Sequence, residues 1–173
     1  MSISPDQDAR YLAAAEAHGP ALQRLAGAFE ANPERRRDLL QDMHVALWRS
    51  FAAFDDRCSV RTWVYRVAHN VAASYVDKER RTHKGAVTID EIEHLPDSTS
   101  IAADVEESET VARLHALIRQ LKAPDRQIIT LYLEELDAAA IAEITGLSSG
   151  AVATRISRLK IHLAAKFHEH ANV

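Results

Sequence analysis

The stretch from Asp38 to Arg81 constrains the chain most, because two amphipathic patterns with helical spacing meet across a short, charged connection. At about 100° per residue, the apolar residues of the first pattern share one face, and the opposite face carries Gln41, Asp42, Val45 and Arg49. The apolar stripe of the second pattern runs from Val60 through Trp63, Val64, Val67 and Val71 to Tyr75. The stretch therefore predicts two packed helices, each with a face left for water or a partner.

The far side of the second helix has a composition that suits a single nucleic-acid strand. The residues that we expect to be exposed there are Arg61, Thr62, Tyr65, Arg66, His69 and Arg80. Arginines fork onto phosphates, and an aromatic ring stacks on the bases that a single strand exposes. Arg61, Tyr65, Arg66 and Asn70 are therefore candidate residues for holding a displaced strand.

The connection between the two helices, AAFDDRCS from 52 to 59, adds a second stacking candidate and two acids. Phe54 offers a ring face, while Asp55 and Asp56 can accept hydrogen bonds from base edges. A short loop with this composition predicts a pocket for one extruded base.

Length and composition favour an all-α fold with two small domains. A chain of 173 residues has room for one or two small domains, and five glycines are few for the turns of a many-stranded sheet. Cys58 is the single cysteine, so no intramolecular disulfide can form. The sequence contains neither a leader pattern nor an 18-residue apolar run, which predicts a cytoplasmic protein without membrane insertion.

The charge is distributed unevenly and marks the domain boundaries. The net charge of −4 combines +2 for residues 1–84, −8 for residues 85–110 and +2 for residues 111–173. We expect 85–110 to be an acidic flexible linker between a first domain at 1–84 and a second at 111–173. In the first domain, Asn32 and Pro33 form a helix start, and Gly19-Pro20 should break or bend the helix that precedes it.

The second domain contains a helix-turn-helix pattern. Gly146 follows the apolar run 138–144 as a tight-turn residue, and Ser148 or Ser149 can cap the helix that continues to Ala165. The positions predicted to face a DNA groove are Ser149, Thr154, Arg155 and Arg158, with Lys160 towards the backbone.

Sequence motifs for catalysis are absent. We find no phosphate loop, nucleophile elbow or zinc-protease pattern, so the chain is not expected to be an enzyme or to need a cofactor. His168-Glu169-His170 is interpreted as a solvated tail, and no metal site is assigned.

Two stretches carry a family resemblance. DLLQDMHVALW followed by FDDRCSVRTWVYRVAHN resembles the second conserved region of bacterial sigma factors, in particular the extracytoplasmic-function (ECF) class of the sigma-70 family. His44 departs from the large apolar residue common at that position. Residues 111–165 resemble the fourth sigma region.

The resemblance implies a role for each surface. The first helix, through Gln41, Asp42, Val45 and Arg49, would dock on the clamp of core RNA polymerase. The loop and the second helix would open promoter DNA at the minus-ten element, and the recognition helix would enter the major groove at the minus-thirty-five element. The class is often sequestered by an anti-sigma factor, which makes such a regulator a further candidate partner.

Two other functions are compatible with the pattern. The first is a stand-alone helix-turn-helix regulator whose N-terminal helices sense a ligand or dimerise. The second is a helical interaction protein without a nucleic-acid partner. Binding to core polymerase distinguishes the sigma-factor hypothesis from both.

Overall fold

A computed structural model describes residues 5–84 and 108–171, and this part of the chain consists of helices and turns without a strand. The N-terminal half contains α1 (Pro5–Phe29), α2 (Pro33–Ser50), a 3₁₀ turn (Phe51–Ala53) and α3 (Val60–Lys84). The C-terminal half contains α4 (Glu109–Arg119), α5 (Ala123–Leu133), α6 (Ala138–Thr145) and α7 (Ser149–Ala171). The all-α prediction is confirmed.

The predicted linker lies largely outside the described residues. Its positions 85–107 are not described, and α4 begins at Glu109, two residues before the predicted start of the second domain. Ser108 caps this helix, because its hydroxyl accepts a hydrogen bond from the backbone N–H of Val111.

Helix α1 is continuous through Gly19-Pro20, so the predicted break into two helices does not occur. Pro20 lies on the exposed side, so the hydrogen bond that it cannot donate is lost at a carbonyl next to solvent. Directly after it, Ala21, Leu22 and Leu25 are buried in the core. Burial of apolar side chains along the rest of the helix stabilises it more than one missing hydrogen bond destabilises it. The low helix propensity of Gly19-Pro20 therefore does not interrupt α1.

Helix α2 begins as predicted. The side chain of Asn32 accepts hydrogen bonds from the backbone N–H groups of Glu34 and Arg35. Leu39, Met43 and Leu47 form its buried stripe.

His44 is accommodated at the contact between α1 and α2. Its Nδ1 lies 3.0 Å from the hydroxyl of Tyr11. This hydrogen bond explains how a polar ring replaces a large apolar residue here.

The C-terminal half contains the predicted helix-turn-helix. Gly146 ends α6 with φ 77°, a left-handed conformation that suits glycine. The hydroxyl of Ser148 accepts from the N–H of Ala151 and caps α7. Ile141 and Val152 are fully buried on either side of the turn, so the two helices share one core.

The two halves pack against each other through α1 and α3. The guanidinium of Arg119 donates to the carbonyl of Gly27 at 2.6 Å, and the guanidinium of Arg126 lies over the ring of Phe29 with its carbon 5.3 Å from the ring centroid. Helices α5 and α6 also contact α3, whose Tyr65 and His69 rings pack against α1. On the side of α3 predicted to be exposed, Arg61 and Arg80 are exposed, whereas Thr62, Tyr65 and His69 keep only 8%, 3% and 1% of their surface accessible, which corrects the prediction for those three residues.

Candidate nucleic-acid and partner interfaces

The outward face of α2 is open. Gln41, Asp42, Val45 and Arg49 are all exposed, and Val45 keeps 40% of its surface accessible although it is apolar. Polar residues around one accessible apolar side chain are typical of a protein-binding surface. The structure thus brings the four predicted polymerase-binding residues to one free face.

Phe54 is held at the start of the loop by two aromatic neighbours. Its ring meets Phe51 edge-on at 5.7 Å between centroids and lies tilted against Trp63 at 5.2 Å. Trp63 is itself fixed, because its indole N–H donates to the hydroxyl of Ser50 at 2.9 Å. Phe54 stays half-buried, so its ring has a defined position and some accessible surface.

Each loop carboxylate has an arginine partner. Asp55 pairs with Arg57 at 2.8 Å and also accepts from its backbone N–H. Asp56 pairs with Arg10 of α1 at 3.2 Å and has a left-handed backbone with φ 59°, which aspartate tolerates better than most residues. Arg10 was not among the predicted residues, since nothing in the sequence links position 10 to this loop.

The predicted strand-binding residues of α3 form one strip, and the C-terminal half contacts three of its four residues. Arg61 donates to the backbone carbonyl of Glu134 at 2.5 Å, and the Tyr65 hydroxyl donates to a carboxylate oxygen of the same residue at 3.4 Å. Arg66 donates to the carbonyl of Glu143 at 3.1 Å. Asn70 remains exposed. Burial, followed by the Glu134 charge, raises the pKa of Tyr65.

Glu134 is the centre of the contact between the two halves. Its carboxylate oxygens accept from Nε and Nη2 of Arg24 at 2.6 and 2.8 Å, a forked pair. The side chain of Glu134 is 10% exposed. Sequence reasoning missed Arg24, Glu134 and Glu143, because pairs separated by up to 110 positions leave no local signal.

The outer face of α7 is open. Ser149, Thr154, Arg158 and Lys160 are exposed, and Arg155 is half-buried. The predicted groove-facing residues therefore lie on accessible turns of one helix, directly after the helix-turn-helix corner.

A basic cleft lies beside this face, between α7 and the start of α5. It has a volume of about 330 Å³ and is lined by Lys122, Pro124, Asp125, Arg155, Arg158 and Leu159. Arg155 reaches Asp125 at 3.4 Å. The N-terminus of α5 and three cations, of which Arg155 is paired with Asp125, give the cleft a net positive charge that suits a phosphate.

The described residues contain neither a membrane-spanning helix nor a cluster of metal-binding side chains. No helix among them combines the length and apolar character needed to cross a membrane. No three His, Cys, Asp or Glu side chains in residues 5–84 and 108–171 come close enough together to hold a metal ion.

Comparison with known proteins matches both halves to one family. The family model described as Sigma-70 region 2 matches residues 14–82, and the one described as Sigma-70, region 4 matches residues 112–163. The ECF RNA polymerase sigma factor RpoE of Cereibacter sphaeroides is 30% identical over 72% of this chain and 70% of its own length. The chain is an ECF sigma factor of the sigma-70 family.

Other relatives of this ECF sigma factor are also RNA polymerase sigma factors. The RNA polymerase sigma factor YlaC of Bacillus subtilis is 32% identical over 75% of this chain and 76% of its own length. The ECF RNA polymerase sigma factor SigW of the same organism is 27% identical over 88% of this chain and 86% of its length. These matches give no support to the alternative of a stand-alone helix-turn-helix regulator.

Two solved structures share the fold of the ECF sigma factor. CnrH, in complex with the cytosolic domain of CnrY, matches with a TM-score of 0.64 at 22% identity over 96% of this chain and 99% of its own. The sigma factor RpoE of Bartonella quintana, in complex with the anti-sigma factor NepR, matches with a TM-score of 0.64 at 21% identity over 87% and 91% of the two chains.

Proposed function

We propose that this ECF sigma factor binds core RNA polymerase, directs it to promoters and opens DNA at the minus-ten element by binding alone, without catalysis or a cofactor. It would act in the cytoplasm, where transcription takes place. We assign residues 1–84 to polymerase docking and promoter opening, 85–110 to the linker and 111–173 to minus-thirty-five recognition. Docking would use Gln41, Asp42, Val45 and Arg49 on α2.

The bonding of the α3 strip carries the proposal. Arg61, Tyr65 and Arg66 each donate to an acceptor oxygen, and the acceptors belong to two acidic residues. Phosphate and base-edge oxygens of a single strand are acceptors of the same kind. The strip therefore already holds three acceptor oxygens, two of backbone carbonyls and one of a carboxylate, here supplied by the C-terminal half.

Base capture would take place at the adjacent loop. Phe54 supplies an accessible ring, and Asp55 and Asp56 supply acceptor oxygens next to it. Extruding a base from a duplex costs a few kcal/mol, which stacking and a fitted pocket offset.

The proposal requires the two halves to separate. Arg61, Tyr65 and Arg66 cannot hold a DNA strand while they contact Glu134 and Glu143. The α2 face and the α7 face are open in the same structure. Polymerase docking and duplex contact can therefore begin before the strip is uncovered.

Regulation by an anti-sigma factor is a proposal that rests on the structural relatives. The RpoE structure contains the anti-sigma factor NepR, and the CnrH structure contains the cytosolic domain of CnrY. Both similarities fall below 25% identity, so they support the fold, and the identity of a regulator for this chain has to come from pull-down experiments.

Permanganate footprinting on a cognate promoter tests the proposal. Phe54→Ala and Tyr65→Ala should each reduce thymine reactivity in the minus-ten region more than they reduce binding to core polymerase. Phe167→Ala serves as a control, because Phe167 is a half-buried aromatic residue near the end of α7. Full reactivity with both variants would contradict the assignment, and an equal loss of core binding would indicate misfolding instead.

A further inference from the structure

The side chain of Arg10 tethers the loop that follows Phe54 to α1. Its Nη1 lies 3.2 Å from a carboxylate oxygen of Asp56, and its guanidinium carbon lies 5.5 Å from the centroid of the Phe54 ring, over the ring face. Nε of the same group pairs with Asp6, one turn earlier in α1, at 3.1 Å. One planar group thus contacts both an aromatic and an acidic residue of the loop.

The shared geometry distinguishes this contact from an ordinary surface ion pair. Asp6 anchors the guanidinium on the helix, so its orientation is set before it meets the loop. An isolated exposed pair gains little, because two long side chains must be ordered for one contact. Here one ordered group makes three contacts, and the conformational entropy is lost only once.

The backbone of the loop needs such a tether. Asp56 has φ 59°, and the remaining side-chain contact among the acids, between Asp55 and Arg57, is internal to the loop. Phe54 is supported from the core side by Phe51 and Trp63. Arg10 therefore supplies the support from the α1 side.

We propose that Arg10 is a positioning residue for base capture, which holds the Phe54 ring and the Asp56 carboxylate in the arrangement that accepts one extruded base. The inference rests on the proposed function of the loop. Binding groups that are positioned before the ligand arrives do not incur the cost of ordering during binding. Loss of Arg10 should weaken the capture of a base rather than the binding of the strand's phosphates.

The inference is tested by comparing how wild type and Arg10→Ala bind an intact single strand and strands that lack one base. The full-length protein in complex with core polymerase is titrated with a fluorescent single strand selected from a minus-ten library, and with versions in which one nucleotide at a time lacks its base. Arg10→Ala should weaken binding of the intact strand by roughly threefold to tenfold. On the strand whose missing base costs the wild-type protein most, Arg10→Ala and wild type should bind equally.

Two further variants test whether the effect depends on the charge of Arg10 and whether it is specific to this arginine. Arg10→Lys keeps the charge near Asp56 and should restore part of the affinity for the intact strand. Arg35→Ala is a matched control, because Arg35, like Arg10, is an arginine that pairs with two carboxylates, here those of Glu30 and Glu79. It should bind both strands like the wild type.

The binding results distinguish a failure of the role of Arg10 from a failure of the proposed function of the loop. If Arg10→Ala binds the intact strand normally, or loses the same factor on intact and abasic strands, Arg10 has no role in base capture and the inference is overturned. If no abasic position weakens binding by the wild-type protein, the loop captures no base, and the proposed function of the loop is overturned together with the inference.

Discussion

At the scale of single residues, His69 is the most unusual group in the described part of the chain. The side chain is 1% exposed, and neither ring nitrogen has a hydrogen-bond partner. It packs against Phe29, with the ring planes at 84° and the centroids 6.1 Å apart. Burial lowers the pKa of His69 from 6.5 to about 3, because a charged imidazole would lose its hydration there.

This pKa shift predicts that acid destabilises the fold. The folded protein keeps His69 neutral, whereas the unfolded chain takes up a proton below about pH 6.5. The contribution is therefore fully present above pH 6.5 and declines as the pH falls towards 3. In urea unfolding, the wild-type protein should lose about 2 kcal/mol more between pH 7 and pH 5 than His69→Leu.

The comparison with His69→Leu isolates the contribution of His69 to the pH dependence of the free energy of unfolding. Burial also lowers the pKa values of His18 and His44, but both residues are present in both proteins and their contributions cancel. Equal losses of stability in the two proteins would show that His69 is not a buried neutral group.

Arg155 leads to a second prediction at this scale. Its guanidinium is turned towards Asp125 at the start of α5, in the cleft that also contains Lys122. A position at a helix N-terminus favours a phosphate contact over a base contact. Arg155→Ala should therefore weaken binding to all promoter sequences by a similar factor and reduce the salt slope by about one.

A promoter-mutant series measured at two salt concentrations checks this assignment. A loss of about 1–3 kcal/mol confined to one base pair would mean that Arg155 reads that base instead. Ala151 and Ala153 are exposed on the same helix and cannot donate to base edges, so we expect weak duplex binding without polymerase.

At the scale of helices, the α2 face predicts a docking surface. Asp42→Ala combined with Arg49→Ala should weaken binding to core polymerase and leave the helical circular dichroism unchanged, because both side chains are exposed and opposite the buried stripe. Asp77→Ala with Lys78→Ala on α3 is a charge-matched control. Unchanged affinity of the α2 variant for core polymerase would remove this face from the interface.

Local signals were sufficient for the caps and the tight turn, but not for the continuity of α1 at Pro20 or for the end of α7 at Ala171. The cap at Asn32 and the left-handed turn at Gly146 were predictable because each depends on neighbours within a few residues. The burial of Tyr65 and His69 on α3 was not predictable from local signals. Periodicity assigns one buried face to a helix, whereas α3 contacts α1 and α2 and also α5 and α6 of the C-terminal half.

The same limit applies to the candidate sites. The α2 and α7 residues are accessible as predicted, since each set lies on a single helix. Arg10 and Glu134 were not predictable, because their contacts join positions 46 and up to 110 residues apart. Tertiary packing alone brings these groups to the loop and to the strip.

At the scale of the whole molecule, Arg24 and Glu134 predict how the two halves open. Arg24 is outside the proposed DNA-binding residues, yet it holds the Glu134 carboxylate through both of its forked hydrogen bonds. Arg24→Ala should therefore favour separated halves. Small-angle X-ray scattering should show a larger radius of gyration, and the free protein should bind a minus-ten single strand more tightly.

The variant Arg61→Ala is expected to differ from Arg24→Ala in its effect on strand binding. It also removes a contact between the halves, but it removes a proposed strand contact as well, so strand affinity should fall while the radius rises. If Arg24→Ala changes neither the radius nor strand binding, the contact with Glu134 does not control the separation.

The acidic residues that contact α3 also act as built-in counterions, because the Glu143 carboxylate lies 3.8 Å from Arg66 and the Glu134 carboxylate pairs with Arg24 beside the strip. When a strand binds to free arginines, it releases mobile ions, and affinity falls steeply as salt is added. Here the Glu134 carboxylate must leave first, and added salt weakens its hold on Arg24 by screening. The two effects of salt oppose each other. The salt slope for strand binding should therefore be shallower for the free protein than for the protein on polymerase, where the strip is uncovered.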